Sequence, residues 1–103
     1  MPNYTPPRTP AIYNVTLTSA DTEYSQALPA GCKRFSVSIR DGVGTNNFRI
    51  AFVTGKVATP TAPYLKYPCT VEYSQGDIEF PAAKTVYIAG SNAGDVAQIE
   101  AWV

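Results

Sequence analysis

The stretch Arg34–Val53, RFSVSIRDGVGTNNFRIAFV, decides the fold. Phe35, Val37 and Ile39 alternate with Arg34, Ser36, Ser38 and Arg40. Phe48, Ile50 and Phe52 alternate with Arg49, Ala51 and Val53. A period of two sends successive side chains to opposite faces of a strand, so each run has one apolar and one mostly polar face. Between the runs, Asp41-Gly42, then Gly44 and Asn46-Asn47, supply turn residues.

The same alternation extends in both directions. Tyr13, Val15 and Leu17 alternate with Asn14, Thr16 and Thr18, and Val86 and Ile88 alternate with Thr85, Tyr87 and Ala89. Gly55–Pro63 reads as an irregular loop and Gly90–Asp95 as a turn. The last segment is ambiguous: Val96, Ile99 and Val103 sit at helical spacing, while Ala97, Ile99, Ala101 and Val103 alternate. Strands about every 8–12 residues with turn signals between them indicate an all-β sandwich or small barrel.

A repeat favours strand at the C-terminus. Glu23-Tyr24-Ser25-Gln26 recurs as Glu72-Tyr73-Ser74-Gln75, an offset of 49. Without gaps, that offset pairs Val37 with Val86, Ile39 with Ile88 and Ile50 with Ile99, and lays Phe48–Thr54 over Ala97–Val103. Between them the match drifts by two or three: Leu28-Pro29-Ala30 resembles Phe80-Pro81-Ala82, and Lys33 resembles Lys84. The expectation is a duplication of four-stranded halves, with strands at 13–18, 23–28, 33–40 and 48–54, then 64–67, 71–80, 84–89 and 96–103. Neither half covers its own apolar face, so the halves pack into an eight-stranded antiparallel sandwich, jelly-roll-like in strand count. Phe35, Val37, Ile39, Ile50, Phe52, Val86, Ile88 and Ile99 are its expected core.

Composition narrows the function. The 103 residues carry 8 Lys+Arg against 8 Asp+Glu and no His. Zero net charge speaks against nucleic-acid binding by a charged face. Zero His removes the commonest general base and metal ligand, and with it any Ser-His-Asp or Cys-His arrangement. Asp77 and Glu79 could share a strand face but read as surface charge. Gly42 and Gly44 lack the rest of a phosphate loop, and Asp41, Thr45, Asn46 and Asn47 match no calcium loop. The expectation is no enzyme, no cofactor and no metal. Cys32 and Cys69 are the only cysteines; packed thiols and a bridge both remain open. There is no apolar run of a membrane span. Met1–Pro10 lacks the apolar stretch of a signal peptide, so cytoplasmic synthesis is expected.

Two features point to contacts with other proteins. Pro2, Pro6, Pro7 and Pro10 favour an extended, polyproline-like path for residues 1–11 ahead of a sandwich over 12–103, read either as a disordered tail or as an arm that lies on a neighbouring subunit. Seven Tyr in so short a chain either cap a small β core or meet a partner. Tyr4, Arg8 and Ile12 in and beside the arm, Tyr64 and Tyr67 near Pro63 and Pro68, and Trp102, which alternates away from Ile99 and Val103, are the candidate interface residues.

The string VTLTSADTEYSQALPAGCKRFSVSIRDGVGTNNFRIAFVT, Val15–Thr54, is similar to small structural proteins of tailed phages. The shared pattern is a TSA[DN]-x-EY opening with LP-x-G and F (Thr18–Phe35), a DG turn (Asp41-Gly42) and an FR-[IL]-A-[FY] strand (Phe48–Phe52). It continues with a GKV…PY segment (Gly55–Tyr64) and a terminal E-x-W (Glu100–Trp102). The resemblance implies a virion component, a capsid decoration or cement protein of β-sandwich fold. Such a protein is made in the host cytoplasm, binds the major capsid protein and works as a homo-oligomer, with a trimer favoured. The alternative is a carbohydrate- or receptor-binding sandwich of a tail or fibre. Fold alone does not separate the two; an exposed coplanar aromatic pair would favour sugar, and a flat apolar patch would favour protein.

Overall fold

Alternation becomes eight strands: β1 (Ala11–Leu17), β2 (Tyr24–Leu28), β3 (Arg34–Ile39), β4 (Asn47–Ala51), β5 (Leu65–Pro68), β6 (Tyr73–Gln75), β7 (Lys84–Gly90) and β8 (Asp95–Trp102). The structure is a computed structural model, and it describes residues 9–76 and 78–103. The strands lie in two antiparallel four-stranded sheets, ordered β1-β8-β3-β6 and β2-β7-β4-β5. The C-terminal segment is therefore a strand. It is the longest one, held between β1 and β3.

The pairing is nested: β1 with β8, β2 with β7, β3 with β6, β4 with β5. One long antiparallel hairpin, wound so that its successive pairs fall alternately in the two sheets, gives this order; it is the jelly-roll winding. The winding relates the halves by exchange of the sheets. Val37 pairs with Tyr73 and Ile99, and Ile88 pairs with Tyr24 and Ile50. Tyr24 and Tyr73 thus occupy corresponding places, as do Ile50 and Ile99. The counterpart of Val37 is Ile88, however, and not the Val86 of the gapless offset. The offset is 49 on the flanking strands and 51 here, because two extra residues sit in the connection before β7. The Lys33–Lys84 match carried that drift.

The core lies between the sheets. Phe35, Val37, Ile50, Val86, Ile88 and Ile99 are at most 1% exposed, and Leu17, Leu28 and Phe48 join them. Burying each such side chain is worth about 1.5–3 kcal/mol. Phe52 lies just beyond β4 and is only half-buried; its ring meets Phe35 edge-on at 6.0 Å. Cys32 and Cys69 are both buried and unbridged. After Gly76 the chain bonds alongside 31–33, with Ile78 and Phe80 amides donating to the Lys33 and Cys32 carbonyls.

A polar, solvated outer face holds for β3 and fails for β4. Arg49 is 5% exposed, because the connection between β4 and β5 folds back over it. Val57 from that connection, Ala51 and Ala89 form a second small core flanked by Tyr64 and Tyr87. Arg49 donates Nε–H to the Val57 carbonyl at 2.8 Å and pairs with Asp21 at 2.7 Å. The guanidinium thus ties β4, the β1–β2 turn and the covering loop together, which satisfies a charge that burial would otherwise penalise.

Candidate functional site

Two surfaces stand out. The first is the outer face of the β1-β8-β3-β6 sheet. Its middle row runs Ile12, Glu100, Ser36, Ser74 across the four strands. The neighbouring rows place Trp102 opposite Arg34 and Gln98 opposite Ser38. Serines have short side chains, so the centre forms a shallow depression of about 210 Å³ lined by Ile12, Ser36, Ser38, Glu72, Gln98 and Glu100. Ile12 stands 66% exposed at its edge. Trp102 is half-buried: the Arg34 guanidinium lies 5.6 Å from its ring centre, and its Nε1–H donates to Glu100 Oε1 at 2.8 Å.

The second surface is an apolar groove of about 210 Å³ where β4 ends and β5 begins. Ile50, Ala51, Phe52, Val53, Pro63, Tyr64 and Leu65 line it. Val53 and Leu65 are 53% and 42% exposed, apolar groups left facing solvent. Glu23 pins the start of the covering loop by accepting from the Thr54 hydroxyl and the Gly55 amide, both at 2.9 Å. Arg49 pins its middle. The groove walls are therefore held from two sides.

The sequence candidates divide between these surfaces. Ile12 and Trp102 share the first and Tyr64 lines the second. Tyr67 is half-buried, and its ring packs on Phe48 and Tyr73 at 5.8 and 5.7 Å, committed to the core. Tyr4 and Arg8 lie outside the described residues. Arg34, Ser36, Ser38 and Glu100 were not singled out from sequence as surface-forming, although their alternation with Phe35, Val37 and Ile99 placed them outward. Among the described residues the recorded aromatic pairs involve Phe35, Phe48, Phe52, Tyr67, Tyr73 and Phe80 and pack against the core; none is an exposed coplanar pair.

Among the described residues no three metal-ligating side chains cluster. Asp77 lies outside the described residues and Glu79 is exposed. Cys69 sits 3.9 Å from the Asp95 carboxylate. Burial first, then the negative charge and hydrogen bond of Asp95, push its thiol up to about 11, which suppresses the thiolate a nucleophile needs. Cys32 donates to the Arg34 carbonyl. Burial, then neighbouring Tyr67, raises the Tyr73 hydroxyl. No helix among the described residues is long and apolar enough to cross a membrane. No family model, curated protein or solved structure matches the chain.

Proposed function

We propose that this chain is a non-enzymatic virion structural protein, a capsid decoration or cement protein that binds the major capsid protein and works as a homo-oligomer, with a trimer favoured. The observation that carries the reading is the filled interior of the jelly roll. Barrel-like β folds that enclose a small molecule hold it between their sheets. Here Phe35, Phe48, Leu28, Ile50, Ile88 and Ile99 occupy that space. Side chains suited to protein contact, Trp102, Arg34 and Ile12, lie on the outside of one sheet. The motif resemblance to tailed-phage structural proteins supplies the kind of partner.

The outer face of the β1-β8-β3-β6 sheet is the surface assigned to the capsid. It is broad and low, with Trp102, Arg34 and Ile12 as anchors; Trp and Arg are the side chains that dominate binding energy at protein interfaces. The sugar-binding reading is less well supported, since Arg34 and Glu100 already engage the Trp102 ring and its N–H. The test is co-sedimentation with parent particles assembled without this protein. The full chain binds, while Trp102→Ala weakens binding at least about 30-fold, as for a hot spot of ~2 kcal/mol. Ser38→Arg, which raises a long charged side chain from the depression, weakens it similarly. Absent particle binding together with glycan binding would replace the capsid reading by the sugar one.

A further inference from the structure

The apolar groove between the end of β4 and the start of β5 has no partner among the described residues, and its size limits what fills it. About 210 Å³ is below the range of pockets for whole small molecules. It suits two or three side chains of a chain segment. Its walls are Phe52, Val53, Pro63, Tyr64 and Leu65, an aromatic and aliphatic surface with no charged side chain among its lining residues. Grooves of this chemistry take polyproline segments, which are preformed and lose little entropy on docking.

The chain carries such a segment at residues 1–10, of which 1–8 lie outside the described residues. A polyproline helix has three residues per turn, so positions three apart share one face. Tyr4, Pro7 and Pro10 are spaced by three in the sequence, the spacing that such a helix would gather on one face, and Arg8, the one charged side chain before Ala11, is out of that spacing. We infer that the stripe of Tyr4, Pro7 and Pro10 from one copy docks in the Phe52–Val53/Pro63–Leu65 groove of a second copy.

Geometry favours the second copy over the chain's own groove. Ala11, Ala101 and Phe35 form one row of their sheet, and Phe35 packs on Phe52. The arm therefore leaves from the same end of the sandwich at which the groove opens. It leaves at the β1 edge, however, while the groove borders β5, the edge strand of the other sheet at the far side. Docking in its own groove would require the arm to reverse and cross the end of the sandwich. A proline-rich segment is stiff over several residues and opposes that reversal. Arm and groove are different surfaces, so the contact is head-to-tail, the kind that closes into rings such as a trimer when the rotation fits.

The inference rests on the homo-oligomer part of the proposed function; the test uses no capsid, so its failure is separate from failure of particle binding. The full chain, a chain lacking residues 1–10, and Leu65→Glu are compared by sedimentation equilibrium over a wide concentration range. The full chain is expected to exceed one protomer, and both variants to need at least about tenfold higher concentration to associate. Leu65 is exposed enough for Glu to be tolerated in the fold, and Val53→Glu serves as a second groove variant. Mixing the truncated chain with Leu65→Glu restores a two-protomer species, because one supplies an intact groove and the other an intact arm. A peptide of residues 1–10 added to the truncated chain shifts the amide resonances of Val53, Tyr64 and Leu65. The same peptide with Ser at its Tyr4 and Pro7 positions does not. Association is insensitive to salt, since no ion pair is involved. A full chain that stays at one protomer, variants that fail to complement, or peptide shifts that map elsewhere would each overturn the inference.

Discussion

Replacing Gly42 by Ala probes how closely the two turns at one end of the sandwich are packed. A Cβ at Gly42 would overlap the Cys69 carbonyl oxygen and lie 2.7 Å from its carbonyl carbon. These are backbone atoms, so no rotamer relieves the contact. The φ of Gly42 is not positive, so the backbone conformation itself accepts Ala. Relief requires the 40–46 turn to move off the turn after β5. That motion stretches the bond from the Cys69 amide to the Asn46 carbonyl, now 3.0 Å. Overpacking costs about 1–3 kcal/mol and the hydrogen bond about 1 kcal/mol, together about 2–4 kcal/mol. For a domain near 100 residues that lowers Tm by roughly 10–25 °C. Gly44→Ala is the control two residues on: its nearest neighbour is Thr70 Cγ2 at 3.6 Å, an ordinary contact, and the change should stay within about 0.5 kcal/mol. Thermal unfolding followed by circular dichroism reads both. If Gly42→Ala melts within about 2 °C of the parent, the close approach of Gly42 to Cys69 is wrong.

Three further outcomes are expected. Arg49→Ala should cost more than Asp21→Ala in urea unfolding, about 1–3 against at most about 1 kcal/mol, because Arg49 is buried while the Asp21 side chain is 59% exposed; the reverse order would mean that the loop does not cover β4. Phe48→Ala should cost about 3–5 kcal/mol and Phe52→Ala about half of that, since only the first ring is fully buried; equal losses would contradict that difference. Stability should also fall as pH rises from about 9 to about 11. The unfolded Cys69 thiol ionises near its ordinary 9.0 while the folded one holds its proton to about 11, so in that window the unfolded state binds fewer protons. Cys69→Ala should flatten that part of the pH profile, and an unchanged slope would assign it to other groups.

Most of the fold was legible because a period of two is a local signal. The runs at Tyr13–Leu17, Phe35–Ile39 and Val86–Ile88 needed no knowledge of their neighbours to read as strands, and the EYSQ repeat placed the C-terminal strand. The register between halves was visible only in part. Lys33 and Lys84 marked the drift of two, to an offset of 51, but a gapless comparison slides past it, and two residues are enough to exchange Val86 for Ile88 without changing which face is apolar. Arg49 was misread because its burial depends on a loop folding back over β4, a long-range event that alternation cannot encode. The candidate surfaces fared similarly. Ile12 and Trp102 follow from strand parity, whereas the groove at Tyr64 needs the β4–β5 connection to bring Val53 and Pro63 together. Tyr67, which sequence could not tell from Tyr64, turns inward because its ladder partner Phe48 does.

The exchange of sheets makes one last demand, at the end of β7. With the offset of 51, the counterpart of Ile39 is Gly90. A Cβ on Gly90 would lie 2.9 Å from Leu17 Cδ1. The β1 and β5 ladders place Tyr13 and Val15 opposite Ile99 and Ala97, and Leu65 and Tyr67 opposite Ile50 and Phe48. Extended by one step, this correspondence sets Leu17 against Cys69, whose amide continues the ladder to Asn46. Large Ile39 goes with small Cys69 in one half, and small Gly90 goes with large Leu17 in the other. The two halves fill equivalent space with opposite allocations of volume, as close packing requires. Gly90→Ala should therefore cost about 1–3 kcal/mol by crowding Leu17, and Leu17→Ala about 2–5 kcal/mol by leaving a cavity. In the double variant the added methyl enters space that Leu17 has vacated, so its cost should fall short of the sum by about 0.5–3 kcal/mol, the range for side chains in contact. Urea unfolding of the four chains in the cycle measures that coupling. Strict additivity would show that Gly90 is small for a reason other than Leu17.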